Sequence, residues 1–157
     1  MNKIFLAISF FLVSEGVLAS DDWFLMGSTK ESRYYINMPS ISESTEYGKT
    51  IVKSWIKIQI YNDLTKDGLS VGDYSLMRYQ VNCNENTIGL KTSTSYKAGK
   101  PYGSQINNSF VQMNDVIPES IGQDILAYSC EGNRIKKDNA NRTSKIVDAY
   151  REQNKYE

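Results

Sequence analysis

The chain has 157 residues, and its 18 Lys plus Arg balance 18 Asp plus Glu for a formal net charge of zero. A protein that lives by neutralising phosphates needs surplus positive charge, so nucleic acid is not an expected partner. There is no His, which removes the commonest general base near neutral pH, the Ser–His and Cys–His nucleophile pairs, and most catalytic zinc sites. The expectation is a protein that is not an enzyme and uses no cofactor or metal.

Residues 1–19 read as an export leader. Lys3 gives a positive start, residues 4–13 form an apolar run broken only by Ser9, and Val17, Leu18 and Ala19 end in the small-residue pattern that signal peptidases cut behind. The run falls short of the roughly 20 apolar residues of a membrane-spanning helix, so no transmembrane segment is expected. No Cys follows it to carry a lipid. Removal of the leader would leave 138 residues (157 less 19), enough for one domain, in the periplasm, at the cell surface or secreted. Cys83 and Cys130 are the only cysteines, and an even count in an exported chain predicts one disulfide between them, because that compartment is oxidising. A redox pair would show C-x-x-C, a metal site more ligands, and a nucleophilic Cys its His.

Two short apolar runs, 23–27 and 33–38, flank a polar turn at 28–32 and suit a hairpin. The clearest period-two segment is 51–61, where Val52, Ile56, Ile58 and Ile60 share one parity and Lys53, Trp55, Lys57 and Gln59 the other, which predicts a strand with one dry face. Ser54 interrupts that face and needs a local hydrogen-bond partner. Trp55 falls on the polar side, where a covering element is expected over an exposed platform. Residues 62–73 hold two glycines among turn-forming acids and amides and read as a long loop. Segments 75–84 and 87–97 alternate again, with Met77, Tyr79, Val81 and Cys83 inward, and the short link makes them antiparallel neighbours. Gly99, Pro101 and Gly103 predict a loop, and 109–113 a last short strand.

Pro118 at a first helical position, Glu119 in the first turn, Ile121, Ile125 and Leu126 at helical spacing, and Gly132 as a stop predict a helix. Cys130 lies at the edge of its apolar face, so the disulfide would pin the helix to the strand that bears Cys83. The predicted fold class is α+β: a small antiparallel β-sheet with a C-terminal helix packed on one face and tethered by a disulfide, spanning residues 20–132. Residues 133–157 are rich in Lys and Arg and poor in apolar residues. They read as a charged tail, partly helical near 144–153 or disordered, either solvated or a binding segment. Two Asn-x-Ser/Thr sequons occur, at Asn107 and Asn141. The carboxylates are scattered, so no acid/base pair is proposed, and no phosphate-loop, zinc-protease or EF-hand pattern is present.

The succession of a leader, Trp23, the Tyr34-Tyr35-Ile36 strand, Val52-Lys53-Ser54-Trp55, a strand ending at Cys83, Val116-Ile117-Pro118-Glu119-Ser120, and a helix closing at Cys130 resembles the surface-adhesin protein E family of Gram-negative bacteria, over residues 22–130. The resemblance implies a small antiparallel sheet with a disulfide-tethered helix. It also implies adhesion to host matrix and serum proteins, vitronectin and laminin among them, and a homodimer. Contacts would then come from loop and tail cations, Lys66, Lys100, Arg134, Lys136 and Lys137, with Tyr102. A rival expectation, motivated by the leader's lack of a lipid-accepting Cys, is a periplasmic structural or accessory component of an envelope assembly with a bacterial partner.

Overall fold

The computed structural model describes residues 22–153, with side chains through residue 145. The leader at 1–19 and the side chains of Ile146, Val147 and Tyr150 lie outside the described part. Eight antiparallel strands form one sheet: β1 (Trp23–Ser28), β2 (Ser32–Asn37), β3 (Ser42–Glu46), β4 (Lys49–Ile60), β5 (Tyr74–Asn82), β6 (Thr87–Lys97), β7 (Lys100–Asn107) and β8 (Asn114–Asp115). One helix follows, α1 (Ile121–Gln153). The main path runs β1-β2-β4-β5-β6-β7. On the edge of β4 away from β5, β2 pairs with the C-terminal half and β3 with the N-terminal half. β6 is shared in the same manner by β7 and β8.

Period-two patterning places the core on one face. Val52, Ser54, Ile56 and Ile60 of β4 are buried, and register sets Ile36 opposite Ile56 and Val81 opposite Val52. α1 lies over this layer, burying Ile125 and bringing Ile121, Leu126 and Tyr128 against it. Each fully buried Ile or Val stabilises by roughly 1.5–3 kcal/mol relative to exposure. Cys83, just past β5, is bonded to Cys130 of α1, with Cα atoms 5.9 Å apart, so the helix is fixed covalently to the end of a central strand as the sequence predicts.

Several local expectations are corrected. Ser54 does bond, but its partner is Ser129 of α1, not a neighbour in the chain. Residues 100–107 are a strand and not a loop, because Ala98 and Gly99 both take positive φ (48° and 75°) and close a two-residue turn with Lys97 opposite Lys100. Residues 109–113 are not a strand; only Asn114–Asp115 pairs with β6. β3 has no apolar alternation to announce it and is set by a second two-residue turn at Tyr47 and Gly48 (φ 50° and 75°).

The helix starts and ends elsewhere than expected. Glu119 sits at φ 60°, a left-handed conformation that breaks the backbone between Pro118 and the helix. Ser120 is the effective cap: its carbonyl accepts from the Gln123 N–H at 2.9 Å, and the Gln123 side chain reaches back to the Glu119 N–H at 2.6 Å, a variant of the reciprocal Ser-x-x-Gln cap. Gly132 does not stop α1, which runs on to Gln153 and is 33 residues long in all. It is buried against Ile41 and Met38, and a Cβ there would collide with the end of Ile41. Its smallness serves close packing of helix on sheet, not termination.

Candidate functional site

α1 covers one face of the sheet only. On the other, register brings together Trp23 and Leu25 of β1, Arg33 and Tyr35 of β2, Trp55 and Lys57 of β4, Leu76 and Arg78 of β5, and Tyr96 of β6. The strands β1, β2, β4, β5, β6 and β7 contain no Asp or Glu at all. The acids of the described residues stand in loops, β3, β8 and α1. A chain of zero net charge therefore folds into a sheet that is locally basic.

The cations of this face rest on rings. Lys57 Nζ lies 4.9 Å from the ring centroids of both Trp23 and Tyr35. The Arg33 guanidinium is 4.9 Å from Tyr61, and that of Arg78 is 5.9 Å from Trp55. Contacts of this kind contribute about 0.5–1 kcal/mol each at exposed sites and position a cation without neutralising it. Tyr74 and Tyr96 stack beside them at 4.9 Å. The element expected to cover Trp55 is replaced by the single side chain of Arg78, and Trp55 stays partly exposed.

At the end of this face that carries the β3–β4 turn, the connection between β7 and β8 crosses over β6. Gly89 makes the crossing possible, since a Cβ there would run into Val111 and the carbonyl of Gln112. Between the crossing and the β3–β4 hairpin lies a cleft of about 470 Å³. Ile51, Val111 and Met113 supply its apolar lining, and Glu46, Lys53, Gln80 and Lys91 its polar one. Glu46 is ion-paired to Lys53 at 2.5 Å and accepts from Gln80 Nε2 at 3.0 Å. The Lys53 hydrogen bond holds the Glu46 carboxyl below its usual range against the opposing effect of burial. Lys91 Nζ donates to the carbonyl of Asn108 at 2.6 Å, tying the crossing segment down. Tyr47 and Phe110, 91% and 75% exposed, also line the cleft.

The residues expected as contacts fall into two groups at opposite ends of the sheet. Lys66 lies in the β4–β5 loop, ion-paired to Asp63 at 3.1 Å. Lys100 opens β7, and Tyr102 sits under Lys97, whose Nζ is 5.2 Å from the ring and donates to the Gly68 carbonyl of the same loop. Arg134, Lys136 and Lys137 lie on α1. Arg134 is forked between Glu131 and Asp138 at 2.5 and 2.7 Å, and the Glu131 carboxylate pushes its pKa up further. Lys136 donates to the carbonyls of Pro39 and Ile41 at 2.9 and 2.5 Å. Lys137 pairs with Glu43 of β3 at 2.6 Å, and Asn133 donates to the same carboxylate. These three cations are thus already engaged.

The sequence carried a usable signal for the open face, the absence of acids from every long alternating segment, and it placed Trp55 and Lys57 on the correct side. Tyr47 belongs to no periodic run, and Phe110 falls in the segment expected to be a strand, so nothing in the sequence marked either as exposed. Among the described residues, no helix is long and apolar enough to cross a membrane, and no group of three or more His, Cys, Asp or Glu is placed to hold a metal ion. The family model described as surface-adhesin protein E matches residues 23–131, from the first residue of β1 to just past Cys130. No curated protein and no solved structure matches the chain.

Proposed function

The chain belongs to the surface-adhesin protein E family, and we propose that it is a non-enzymatic adhesin that holds an acidic stretch of a host matrix or serum protein, such as vitronectin or laminin, against the open face of its sheet. Membership in this family points to an exported or cell-surface protein. The observation that carries the reading is the segregation of charge: Arg33, Lys57 and Arg78 are stacked on rings in strands that offer no carboxylate. Aromatic and Arg side chains are the residue types that dominate binding energy at protein interfaces, and an unneutralised basic face speeds encounter with acidic partners. In this proposal Lys66, Lys100 and Tyr102 serve as peripheral contacts, while Lys136 and Lys137 hold α1 to the sheet and Arg134 braces the helix internally. The homodimer implied by the family is part of the same proposal, supported by the outer edges of β1 and β7, where the sheet ends.

Solid-phase binding to vitronectin and laminin tests it. Binding is expected to weaken steadily with added salt and to fall at least tenfold in the charge-reversed triple variant Arg33→Glu, Lys57→Glu, Arg78→Glu, with the fold intact by circular dichroism. No binding of the wild-type protein at low ionic strength, or equal binding by the triple variant, would overturn the proposal.

A further inference from the structure

Tyr47 occupies the first position of a two-residue turn at φ 50° and is 91% exposed. Left-handed backbone is strained for a residue with a Cβ, and Asn or Gly is the usual occupant of this position in a hairpin turn. A side chain so exposed regains little of that cost by packing, so folding alone gives no account of an aromatic there. Phe110, on the facing segment, is likewise an aromatic left without packing, at 75% exposure. Both line the cleft that opens onto the basic face, whose apolar lining is Ile51, Val111 and Met113. Strain concentrated on an exposed side chain beside a cavity is the pattern of a binding residue.

From this we infer that the cleft is an anchor pocket for a bulky apolar side chain of a protein ligand, gripped between Tyr47 and Phe110, with acidic residues that follow it in the ligand laid along Lys91 and Arg78. The inference rests on the adhesin reading and deepens it by naming the ligand's chemistry: an apolar anchor next to carboxylates in one segment. A volume of about 470 Å³ accommodates an aromatic side chain together with its flanking backbone. Glu46 is neutralised by Lys53 and saturated by Gln80, so it does not repel such a segment, and Lys91, which also lines the cleft and whose ammonium bonds only to the carbonyls of Asn108 and Ser109, adds positive charge. An apolar pocket with a few placed polar groups on its walls is the usual form of a specific site.

The test uses the oxidised protein, isotope-labelled, titrated by NMR with three blocked tetrapeptides: acetyl-Phe-Asp-Asp-Glu-amide, its Ala-Asp-Asp-Glu counterpart and its Phe-Lys-Lys-Arg counterpart. The first is expected to shift the amides of Ile51, Phe110, Val111 and Met113 and to bind at least tenfold more tightly than either other. Phe110→Ala and Tyr47→Asn are each expected to weaken it at least fivefold, and Tyr47→Asn should do so with an unchanged or higher melting temperature, since Asn relieves the turn. That pairing separates a binding role from a structural one. Equal affinity for the three peptides, shifts located away from the cleft, or a Tyr47→Asn protein that binds normally would overturn the inference. Peptide binding at the cleft combined with no adhesion to vitronectin or laminin would sink the family-derived ligands and leave the cleft standing.

Discussion

Ser54 of β4 and Ser129 of α1, 75 positions apart in the chain, meet hydroxyl to hydroxyl at 2.8 Å, and neither is accessible to solvent. The pair sits within the layer between sheet and helix, surrounded by Val52, Ile56 and Ile125. Each hydroxyl satisfies the other, so two polar atoms are buried at little cost, and the bond exists only when α1 has the correct axial position on the sheet. Removing one partner leaves the other unpaired, which costs about 1–3 kcal/mol. Ser54→Ala and Ser129→Ala are each expected to lower the denaturation free energy by that amount, and the double variant by clearly less than the sum. Urea denaturation of the three variants measures this; additive losses would mean that the bond couples nothing.

Gly132 gives a sharper contrast of sign. In an ordinary helix interior, Gly→Ala stabilises by about 1 kcal/mol. Here the added Cβ meets Ile41 beneath α1, so Gly132→Ala is expected to destabilise by about 1–3 kcal/mol through overpacking. Combination with Ile41→Val, which shortens the side chain at the contact, should restore part of the loss. A stabilised single variant would show that the close approach is not real.

Acid sensitivity follows from the carboxylates that tie the layers together. The Lys137 hydrogen bond, joined by Asn133, lowers the pKa of Glu43 below its ordinary 4.5, and the Lys53 hydrogen bond does the same for Glu46. Glu31, Asp73 and Glu131 are lowered as well, by the Thr65 hydroxyl, the Ala98 N–H and Arg134 respectively. Groups whose folded pKa is depressed bind fewer protons folded than unfolded. Their contribution is complete above the unfolded value and is lost as pH falls through the folded one. The melting temperature is therefore expected to be flat between about pH 7 and 5 and to fall below about pH 4.5. Glu43→Gln should flatten that acid limb and lower stability at neutral pH; an unchanged limb in this variant and in Glu46→Gln would contradict the assignment.

The disulfide spans 47 residues, and in the chain-entropy account closing such a loop is worth up to about 4 kcal/mol. The Cys83→Ser, Cys130→Ser variant is expected to lose a comparable amount. Its hydrogen exchange should rise first along 121–137, where α1 is held by Cys130, Ser129 and the Lys136 and Lys137 contacts. Uniform loss of protection across sheet and helix together would indicate that the bond stabilises the whole fold and not the docking of α1.

What could be read from the sequence was whatever is local and periodic. The alternation in β4, β5 and β6, the inward parity of Cys83 and the apolar spacing of Ile121, Ile125 and Leu126 are properties of short segments, and they yielded the sheet, the helix and its tether. Gly132 misled because a helix-ending Gly and a close-packing Gly look alike until the neighbouring Ile41 is known. β3 and β7 were hidden because their turns use Tyr47 and Ala98 where Asn is the familiar signal, and because β7 is exposed throughout and so has no dry face to alternate. The open face was half legible: its residues could be assigned to one side, but pairing each cation with a ring depends on register between strands distant in sequence. The cleft was not legible, since it forms only where a nonrepetitive segment crosses Gly89.

The central claim is that ligand binds the sheet face opposite α1, and the chain carries its own reporters. It has two Trp, and both Trp23 and Trp55 stand on that face in contact with Lys57 and Arg78. In isotope-labelled protein the two indole N–H signals can be followed while unlabelled vitronectin or laminin is added. The account predicts that both indole signals shift or broaden at ligand concentrations where the amides of Arg134 and Lys137 on α1 do not. Perturbation of the α1 amides with both indole signals unchanged would contradict it.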